Sequence, residues 1–475
     1  TLASLRFALR HAEKHSLDRV FYVIPHTSNI DQNAQAARDI LEQNEEPGTV
    51  VLEHPSNIVP AEEHYRHIRL APNWESPVVF TTMVQFLETL FGSGTRNARR
   101  MHTLARSVII FDEIQTLPLK CAHMFCNALN FLVHDCGSSV LLCTATQPLL
   151  GRLPDPLKGQ IALTPESEII PDPDGLFKSL RRVEFVNHCG QGNDYLDSDG
   201  IACLALDELE SSGSCLIVCN TKKWAEDLYR SFSKTTDAKV FYLSTHLCPA
   251  HRREVLAAMR QALQERDEGT GPPVLCCSTQ VIECGVDVAF GSVIRFAAGL
   301  DSSLQAAGRC NRNGKRVLGR VHIVQPRDES LASLPEIKAG KDVFFRLMRE
   351  EAASEQAGMD LTRPELIERY FNYYFFEREQ QMVYPVDYEE RKDWLLRMLG
   401  SNSLNPGQKD REIMLQQSFA TAARLFRPIE AETQGVLVPY EERGKEIIAG
   451  LLSSSEQYQA RRLLPEAQQY SVNLY

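Results

Sequence analysis

Two adjacent carboxylates follow a strongly apolar run in the segment VIIFDEIQ, at residues 108 to 115. If this run is a buried parallel strand, Asp112 and Glu113 emerge at the carboxyl edge of a sheet, where open α/β folds bind ligands. This is the Walker B pattern, in which the first carboxylate holds Mg²⁺ and the second orients or deprotonates the water that attacks the γ-phosphate of ATP. The alternative interpretation is an exposed acidic turn after a core strand.

Two arginines stand three residues apart in QAAGRCNRNG, which begins at Gln305 and fits the pattern Q-x-x-G-R-x-x-R. If this segment is helical, Arg309 and Arg312 share a face. Two guanidiniums so placed could reach phosphates bound near Asp112 and compensate the charge that develops in the transition state of phosphoryl transfer. The alternative is a solvated basic helix that binds nothing, and the occurrence of DEIQ in a separate domain argues against it.

Two polar loops lie between these motifs. Thr144 and Thr146, in the segment TAT, directly follow a predicted strand and with Gln115 would couple the nucleotide site to the second domain, although Thr-rich turns are common. The segment STQVIECGVDVAF places Gly285 and Asp287 in a compact polar loop, where ribose, phosphate and nucleic acid could meet. The alternative for this second loop is a plain β-turn.

The elements that must position these residues are short apolar runs that alternate with helical patterns. Runs without polar alternation predict strands buried on both faces of a parallel sheet, with helices on both sides. Five runs precede a Pro-, Gly- and Asp-rich connector at 153–175: RVFYVIP, TVVLEHP, PVVFTT, SVIIFDE and SVLLCTAT. Six follow it and predict a second α/β domain: RRVEFV, SCLIVCN, KVFYLS, PVLCCST, SVIRFAA and RVHIVQP.

The alternation ends after the second predicted domain. Three stretches, PELIERYFNYYFFEREQ, YEERKDWLLRMLG and REIMLQQSFATAARLF, predict long amphipathic helices, and a small mixed segment with the strand GVLVPY follows them. The predicted organisation is therefore two α/β domains, a helical linker and a small α+β C-terminal domain, with the boundaries 1–175, 176–330, 331–425 and 426–475.

Composition limits the classes of partner. The chain of 475 residues carries a formal net charge of −11, which excludes binding built on bulk positive charge, so a nucleic-acid partner would need a local groove. No run approaches the length of a membrane span and the first residues are too charged for a secretory signal, so we expect a cytoplasmic protein without a membrane partner. The 13 cysteines include no CxxC pair and indicate reduced, buried thiols.

In this order the motifs resemble those of superfamily 2 helicases, with DEIQ as motif II, TAT as motif III, TQVIECGVDV as motif V and QAAGRCNR as motif VI. The segments YVIPHTSNIDQN, TTMVQFLETLF, DEIQTLP and TATQP are similar to those of the type I CRISPR-associated helicase-nuclease. The run RLF, GVLVPY and QYSVNLY near the end resembles its type I-C branch.

This resemblance implies tandem RecA-like domains with ATP and Mg²⁺ in the cleft between them. It also implies ATP-driven translocation, 3′ to 5′, along the displaced single strand of DNA, after recruitment by the crRNA-guided surveillance complex. Two rivals stay open: another superfamily 2 helicase acting on RNA or DNA, and a clamp that binds nucleic acid without hydrolysing ATP.

Two features of that family have no counterpart in these residues. No G-x-x-x-x-G-K-[ST] phosphate loop occurs, and GSGTRN lacks the lysine. The best alignment makes Thr1 the last residue of a GKT, where it would contact the nucleotide and Mg²⁺. The metal cluster of the histidine-aspartate nuclease is also absent, so a divalent transition metal is expected only in a domain upstream of Thr1. The chain by itself should therefore hydrolyse almost no ATP and leave DNA uncut.

Helicases of this kind hold the sugar-phosphate backbone through amides and hydroxyls at strand ends, which positions the strand without reading its sequence. By resemblance, one candidate group follows the first strand, a second ends the third strand and a third lies in the other domain. Each residue could instead cap a helix, and the two roles are compatible. The candidates are Pro25, Thr27, Ser28, Asn29, Thr81, Thr82, Asn220, Thr221 and Thr279.

Overall fold

A computed structural model describes most of the chain, and its internal packing divides into two units. The first unit comprises Thr1–Ile169 and Phe375–Ala431, and the second Ile170–Tyr374 and Glu432–Tyr475. The four domain boundaries predicted from the sequence stay predictions. The described residues are 2–25, 30–43, 48–54, 73–144, 149–190, 194–283, 285–352, 360–388, 391–402, 416–428, 434–453, 463–464 and 466–474.

The first unit contains a sheet of five parallel strands in the order β2-β3-β1-β4-β5. All five strands predicted from the apolar runs are confirmed. The elements in chain order are α1 (Leu2–His15), β1 (Arg19–Ile24), α2 (Ile30–Leu41), β2 (Val51–His54), β3 (Val78–Thr82), α3 (Met83–Phe91), α4 (Thr95–Met101), β4 (Ser107–Asp112), α5 (Ala122–His134) and β5 (Ser139–Cys143).

Apolar residues on both faces explain why this sheet is parallel and buried. On one face, α1 and α2 pack on the strands and form a core that includes Leu5, Tyr22 and Phe80. On the other face, Phe111 lies edge-on to Phe86 at 5.0 Å and to Phe125 at 5.1 Å between ring centroids. Because both faces are covered, the polar residues of the strands are left at their carboxyl ends.

The second unit contains six parallel strands in the order β6-β11-β10-β7-β9-β8, and the six predicted strands are confirmed. Its core packs two helices, α7 and α8, against β7, β9 and β10. The elements are α6 (Pro173–Ser179), β6 (Val183–Asn187), α7 (Ser198–Ser212), β7 (Ser214–Val218), α8 (Lys222–Thr235), β8 (Lys239–Leu243), α9 (Pro249–Asp267), β9 (Val274–Ser278), β10 (Ser292–Phe296), α10 (Leu300–Ala307) and β11 (Gly319–Val324).

The later segments are only partly helical. They comprise α11 (Pro335–Ala352), α12 (Pro364–Glu377), β12 (Pro385–Tyr388), β13 (Arg391–Trp394), α13 (Leu395–Leu399), α14 (Phe419–Leu425), β14 (Gln434–Leu437), α15 (Glu441–Ser453) and β15 (Ser471–Leu474). The strand predicted in GVLVPY is confirmed as β14, which pairs antiparallel with β15. No helix in the described ranges is long and apolar enough to cross a membrane.

The long helix predicted for YEERKDWLLRMLG is wrong. The segment instead completes an antiparallel hairpin, β12 with β13, and only its last part is helical. Asp387 lies opposite Lys392 in the ladder, and such opposite charges stabilise a cross-strand pair. Helix propensity is a weak prior that tertiary pairing of this kind overrides.

The first unit buries a histidine at the end of β2, and this makes its stability depend on pH. Burial, reinforced by Arg100 and Arg96, lowers the pKa of His54 to about 3 from 6.5. Its Nε2 lies 3.1 Å from Nη2 of Arg100, which suits a neutral ring that accepts a hydrogen bond. Since folding depresses this pKa, the contribution of His54 to stability is present above pH 6.5 and is lost as the pH falls towards 3.

We therefore expect the free energy of unfolding to fall by about 1.4 kcal/mol for each unit of pH below 6.5 on account of this residue. His54→Gln should remove that part of the slope between pH 6.5 and about 5. Urea unfolding followed by tryptophan fluorescence measures the slope, because Trp74 packs edge-on to His54. His134→Gln, at an exposed position of α5, is the control, and equal slopes in wild type and His54→Gln would contradict the prediction.

Candidate functional site

The carboxyl edge of the first sheet brings the predicted Walker B carboxylates next to the residues of the third motif. In the ladder, Asp112 at the end of β4 lies opposite Cys143 at the end of β5, and Thr144 follows Cys143 directly. Both carboxylates are half-buried at this edge. The interior of β4 is apolar, so its polar residues Asp112 and Glu113 come at its carboxyl end. Because β4 and β5 are parallel and in register, these residues lie at the same edge of the sheet as Thr144.

Glu113 has a backbone conformation that is uncommon for a residue with a side chain. Its φ is 54° and its ψ is 53°, and the chain turns there into a short 3₁₀ helix, Ile114–Thr116. The hydroxyl of Thr116 donates to the Glu113 carbonyl at 2.8 Å and helps to hold the turn. Strained backbone of this kind is concentrated at functional sites, and here it separates the direction of Glu113 from that of Asp112.

A chain of side-chain hydrogen bonds joins the second and third motifs. Nε2 of Gln115 donates to Oε2 of Glu113 at 2.5 Å, and the hydroxyl of Thr144 donates to Oε1 of Gln115. The amide of Gln115 is thereby oriented at both ends. The structure thus brings together three of the residues predicted to catalyse or couple, while Thr146 and Thr1 lie outside the described residues.

Asp112 lies in surroundings that disfavour its charge in the absence of a cation. Burial, followed by the charge of Glu113, raises the pKa of Asp112. The hydroxyl of Tyr22 donates to Oδ2 of Asp112 at 3.4 Å and lies 3.0 Å from the hydroxyl of Ser4 on α1. A half-buried carboxylate supplies the hard oxygen donor that Mg²⁺ prefers, so the residues fit that ion.

The threonines predicted to contact DNA from the first unit are buried. The Thr82 hydroxyl accepts from the backbone N–H of Gln85 at 3.1 Å and caps α3, which is the alternative role left open by the sequence. The Thr81 hydroxyl donates to the His54 carbonyl at 3.3 Å. Pro25 is half-buried just after β1, and Thr27, Ser28 and Asn29 lie outside the described residues.

The second unit also gathers its candidates at a carboxyl edge. Thr221 caps α8 by accepting from the backbone N–H of Trp224 at 3.3 Å, and Thr279 is buried at the start of the turn after β9. Asn220, which precedes the cap, is turned inward: its side chain contacts Arg295 and Glu329. Of this group, Thr221 has the most exposed side chain.

Arg309 and Arg312 do not lie on a helix, so the condition under which they would share a helical face is not met. Helix α10 ends at Ala307, and Asn311 has a left-handed φ of 47°. The chain then pairs with Phe290, whose N–H donates to the Arg309 carbonyl at 2.9 Å and whose carbonyl accepts from the N–H of Asn311 at 2.8 Å.

The two arginines consequently have different environments. Arg309 is buried, and its guanidinium donates to the backbone carbonyls of Ile282 and Glu283 in the fifth motif. Arg312 has 44% of its side chain exposed and pairs with Asp287 at 2.9 Å, Nε to Oδ1. Arg309 therefore joins two motifs within the second unit, whereas Arg312 is held only by a solvated ion pair that a phosphate could replace.

Gly285, Asp287 and Gln305 belong to the same two motifs as the structure around Arg309 and Arg312. Gly285 has a φ of 74°, a left-handed conformation that glycine adopts without steric cost, and it leads into Asp287. Gln305 is half-buried on the last turns of α10. The turn of the fifth motif thus positions Asp287, which forms an ion pair with Arg312 of the sixth motif.

Sequence reasoning missed two residues that the structure places at these edges. Tyr22 is buried inside β1 and reaches Asp112 from the neighbouring strand. Arg295 is completely buried in β10 and forms an ion pair with Glu283, 2.8 Å from Nε to Oε1. Burial raises the pKa of Glu283 to about 7, an effect that Arg295 opposes. A charged residue in the otherwise apolar run SVIRFAA was the available signal for Arg295.

Comparison with known proteins agrees with this architecture. Residues 211–315 match the family model described as the C-terminal part of the CRISPR-associated nuclease/helicase Cas3. A CRISPR-associated nuclease/helicase Cas3 from Haloferax volcanii is 25% identical, with 62% of this chain and 41% of the relative covered. One from Methanothermobacter thermautotrophicus is 26% identical, with 74% and 39% covered. The chain therefore spans about two fifths of the length of these curated relatives.

A solved structure extends the likeness of fold to the entire chain. The crystal structure of T. fusca Cas3-ADP superposes with a TM-score of 0.71 and 15% identity, and it covers 100% of this chain and 60% of its own. At that identity the match establishes the fold, which is two tandem RecA-like domains. The assignment to the type I-C branch stays a prediction. The family model, the two relatives and this shared fold therefore make the chain similar to the CRISPR-associated nuclease/helicase Cas3.

Proposed function

We propose that this chain is the helicase part of a type I CRISPR helicase-nuclease, which moves along the displaced single strand of DNA by hydrolysing ATP. The observation that carries the proposal is the hydrogen-bonded chain from Glu113 through Gln115 to Thr144 beside Asp112. Phosphoryl transfer requires positioned carboxylates and a link from them to the element that senses hydrolysis, and this edge offers both.

In this proposal, Asp112 holds Mg²⁺ with the nucleotide, and Glu113 accepts the proton of the attacking water. The metal ion would supply charge neutralisation on the phosphates. When hydrolysis changes the surroundings of Glu113, the hydrogen bonds of Gln115 and Thr144 would change with them and transmit the event to the third motif. Arg312 would leave Asp287 and compensate the charge on the γ-phosphate, while Arg309 would keep the fifth and sixth motifs together.

Within each unit, backbone groups at the carboxyl edge of the sheet would hold the single strand, near Thr82 in the first unit and near Thr221 and Thr279 in the second. Similarity to the Cas3 helicase-nucleases supports single-stranded DNA as the substrate, movement from 3′ to 5′ and recruitment by a crRNA-guided surveillance complex. The chain shares its fold with the crystal structures of T. fusca Cas3-ADP and Cas3-AMPPNP, which supports a nucleotide as the ligand of the proposed site.

The proposal predicts that single-stranded DNA raises steady-state ATP hydrolysis by the full-length protein several-fold, because binding of the strand completes the site. Single-stranded RNA of the same sequence should raise it much less, and a blunt DNA duplex is the control. Phosphate release measures the rate. Stronger stimulation by RNA would favour another superfamily 2 helicase, and DNA binding without any turnover would favour the non-hydrolysing clamp.

A further inference from the structure

A fully buried guanidinium stands at the centre of the second unit. Arg295 is the fourth residue of β10 and has 0% of its surface exposed. An arginine stays charged in proteins, so burying it is costly unless the fold supplies partners. Buried ion pairs can often be replaced by apolar residues without loss of stability, so stability alone does not explain a charge at this position.

The partners of Arg295 come from the ends of two other strands. Its Nε forms the ion pair with Glu283, in the turn after β9, and its Nη1 donates to Oδ1 of Asn220, just after β7, at 2.6 Å. Nη1 also donates to the carbonyl of the next residue, Phe296, at 2.9 Å. Since β7 lies between β10 and β9 in the sheet, one side chain ties the carboxyl ends of three adjacent strands together.

The partners are themselves held in one orientation. Nδ2 of Asn220 donates to the carbonyl of Ala297 and to Oε2 of Glu329, each at 3.0 Å. The Asn220 amide is thus fixed at both ends. Glu283 is bound twice, through its carboxylate by Arg295 and through its carbonyl by Arg309. The planar fork of Arg295 therefore connects Asn220, just after β7, with the fifth motif and, through Glu283, with the sixth.

We propose that Arg295 is a positioning residue for the binding of single-stranded DNA, which it never touches. It sets the loops after β7 and β9, so that Thr221 and the turn that begins at Thr279 meet the same strand in register. This inference rests on the proposed function, and it names the residue that aligns the contacts of the second unit with DNA. A lysine could not replace Arg295, because an ammonium lacks the fork that reaches Glu283 and Asn220 together.

The test is the affinity of the full chain for a fluorescent single-stranded oligonucleotide, measured by anisotropy without nucleotide over a range of salt concentrations. Arg295→Lys should bind roughly tenfold more weakly at a temperature where circular dichroism shows it folded. The slope of log Kd against log salt should stay at the wild-type value, because Arg295 contacts no phosphate. Arg320→Lys, on β11 of the same sheet and paired with Glu208, is the matched control and should bind normally.

A second variant keeps the test valid if Arg295→Lys does not fold. Glu283→Gln preserves the shape of the partner but removes the ion pair, and it should weaken binding in the same direction with an unchanged slope. Together the two substitutions should cost much less than the sum of their separate effects, since both break one link.

Three outcomes would count against this role of Arg295. Wild-type affinity in both folded variants would overturn it, and so would a reduced salt slope, which would indicate a direct phosphate contact. Additive effects of the two substitutions would show that Arg295 and Glu283 do not act through one link. No binding of single-stranded DNA by the wild-type chain would instead contradict the proposed function itself.

Discussion

Glu113→Gln in the full-length protein is expected to lower the rate of ATP hydrolysis by a factor of roughly 10² to 10⁴, the usual contribution of a general base. Nucleotide binding should persist, because the substitution leaves Asp112 to hold the metal ion. A glutamine amide cannot take a proton from water. In the wild type, Nε2 of Gln115 donates to Glu113 at 2.5 Å. The amide introduced at position 113 could accept this hydrogen bond only through its oxygen, because its NH₂ group is a donor like Nε2 of Gln115.

The measurement pairs nucleotide binding with phosphate release, each with and without single-stranded DNA. Glu13→Gln, an exposed glutamate of α1, is the matched control and should behave as wild type. Wild-type turnover in Glu113→Gln would remove this residue from the mechanism. Unchanged DNA affinity with no turnover in either protein would point to the non-hydrolysing clamp.

Arg312→Ala is expected to slow hydrolysis by about 10³-fold or more, while the second unit keeps its stability. The side chain is exposed and its ion pair with Asp287 is solvated, so its removal costs the fold little. Arg312→Lys should recover little of the rate, because an ammonium cannot form the two parallel hydrogen bonds that a guanidinium makes with a phosphate.

Arg309→Ala should differ from Arg312→Ala in a second measurement, thermal unfolding. It would leave the buried carbonyls of Ile282 and Glu283 without their donor, which should cost roughly 2–4 kcal/mol of stability. Arg230→Ala, which breaks the exposed ion pair of Arg230 with Glu226 on α8, is the control for both measurements. Full hydrolysis by Arg312→Ala would show that this arginine is a surface feature only.

The positions of the strands could be predicted because the signal for a buried parallel strand is local. Runs such as RVFYVIP and SCLIVCN are mostly apolar on both faces, and polar residues follow them directly. Each of the eleven strands of the two sheets overlaps one of the predicted runs. The carboxylates at 112 and 113 could be placed at the sheet edge for the same reason.

The segment after residue 385 could not be assigned in this way. EERK is a good helical sequence, yet Asp387 and Lys392 face each other across two antiparallel strands. Spacing in the sequence indicates which residues would share a helical face. It does not tell whether the backbone N–H and C=O groups form hydrogen bonds within a helix or with a partner strand. Only the contacts of the folded chain settle that choice.

The amino-acid sequence alone determined the two α/β folding units, the order of the motifs and the residue types that could bind and hydrolyse a nucleotide. It could do so because apolar periodicity and side-chain chemistry are properties of short segments. Tertiary structure alone decided what each polar residue contacts. Arg309 is buried and Arg312 is exposed although they stand three residues apart, because the helix ends before the first of them. Arg295 joins three strand ends because sheet order brings together residues that lie up to 75 positions apart in the chain.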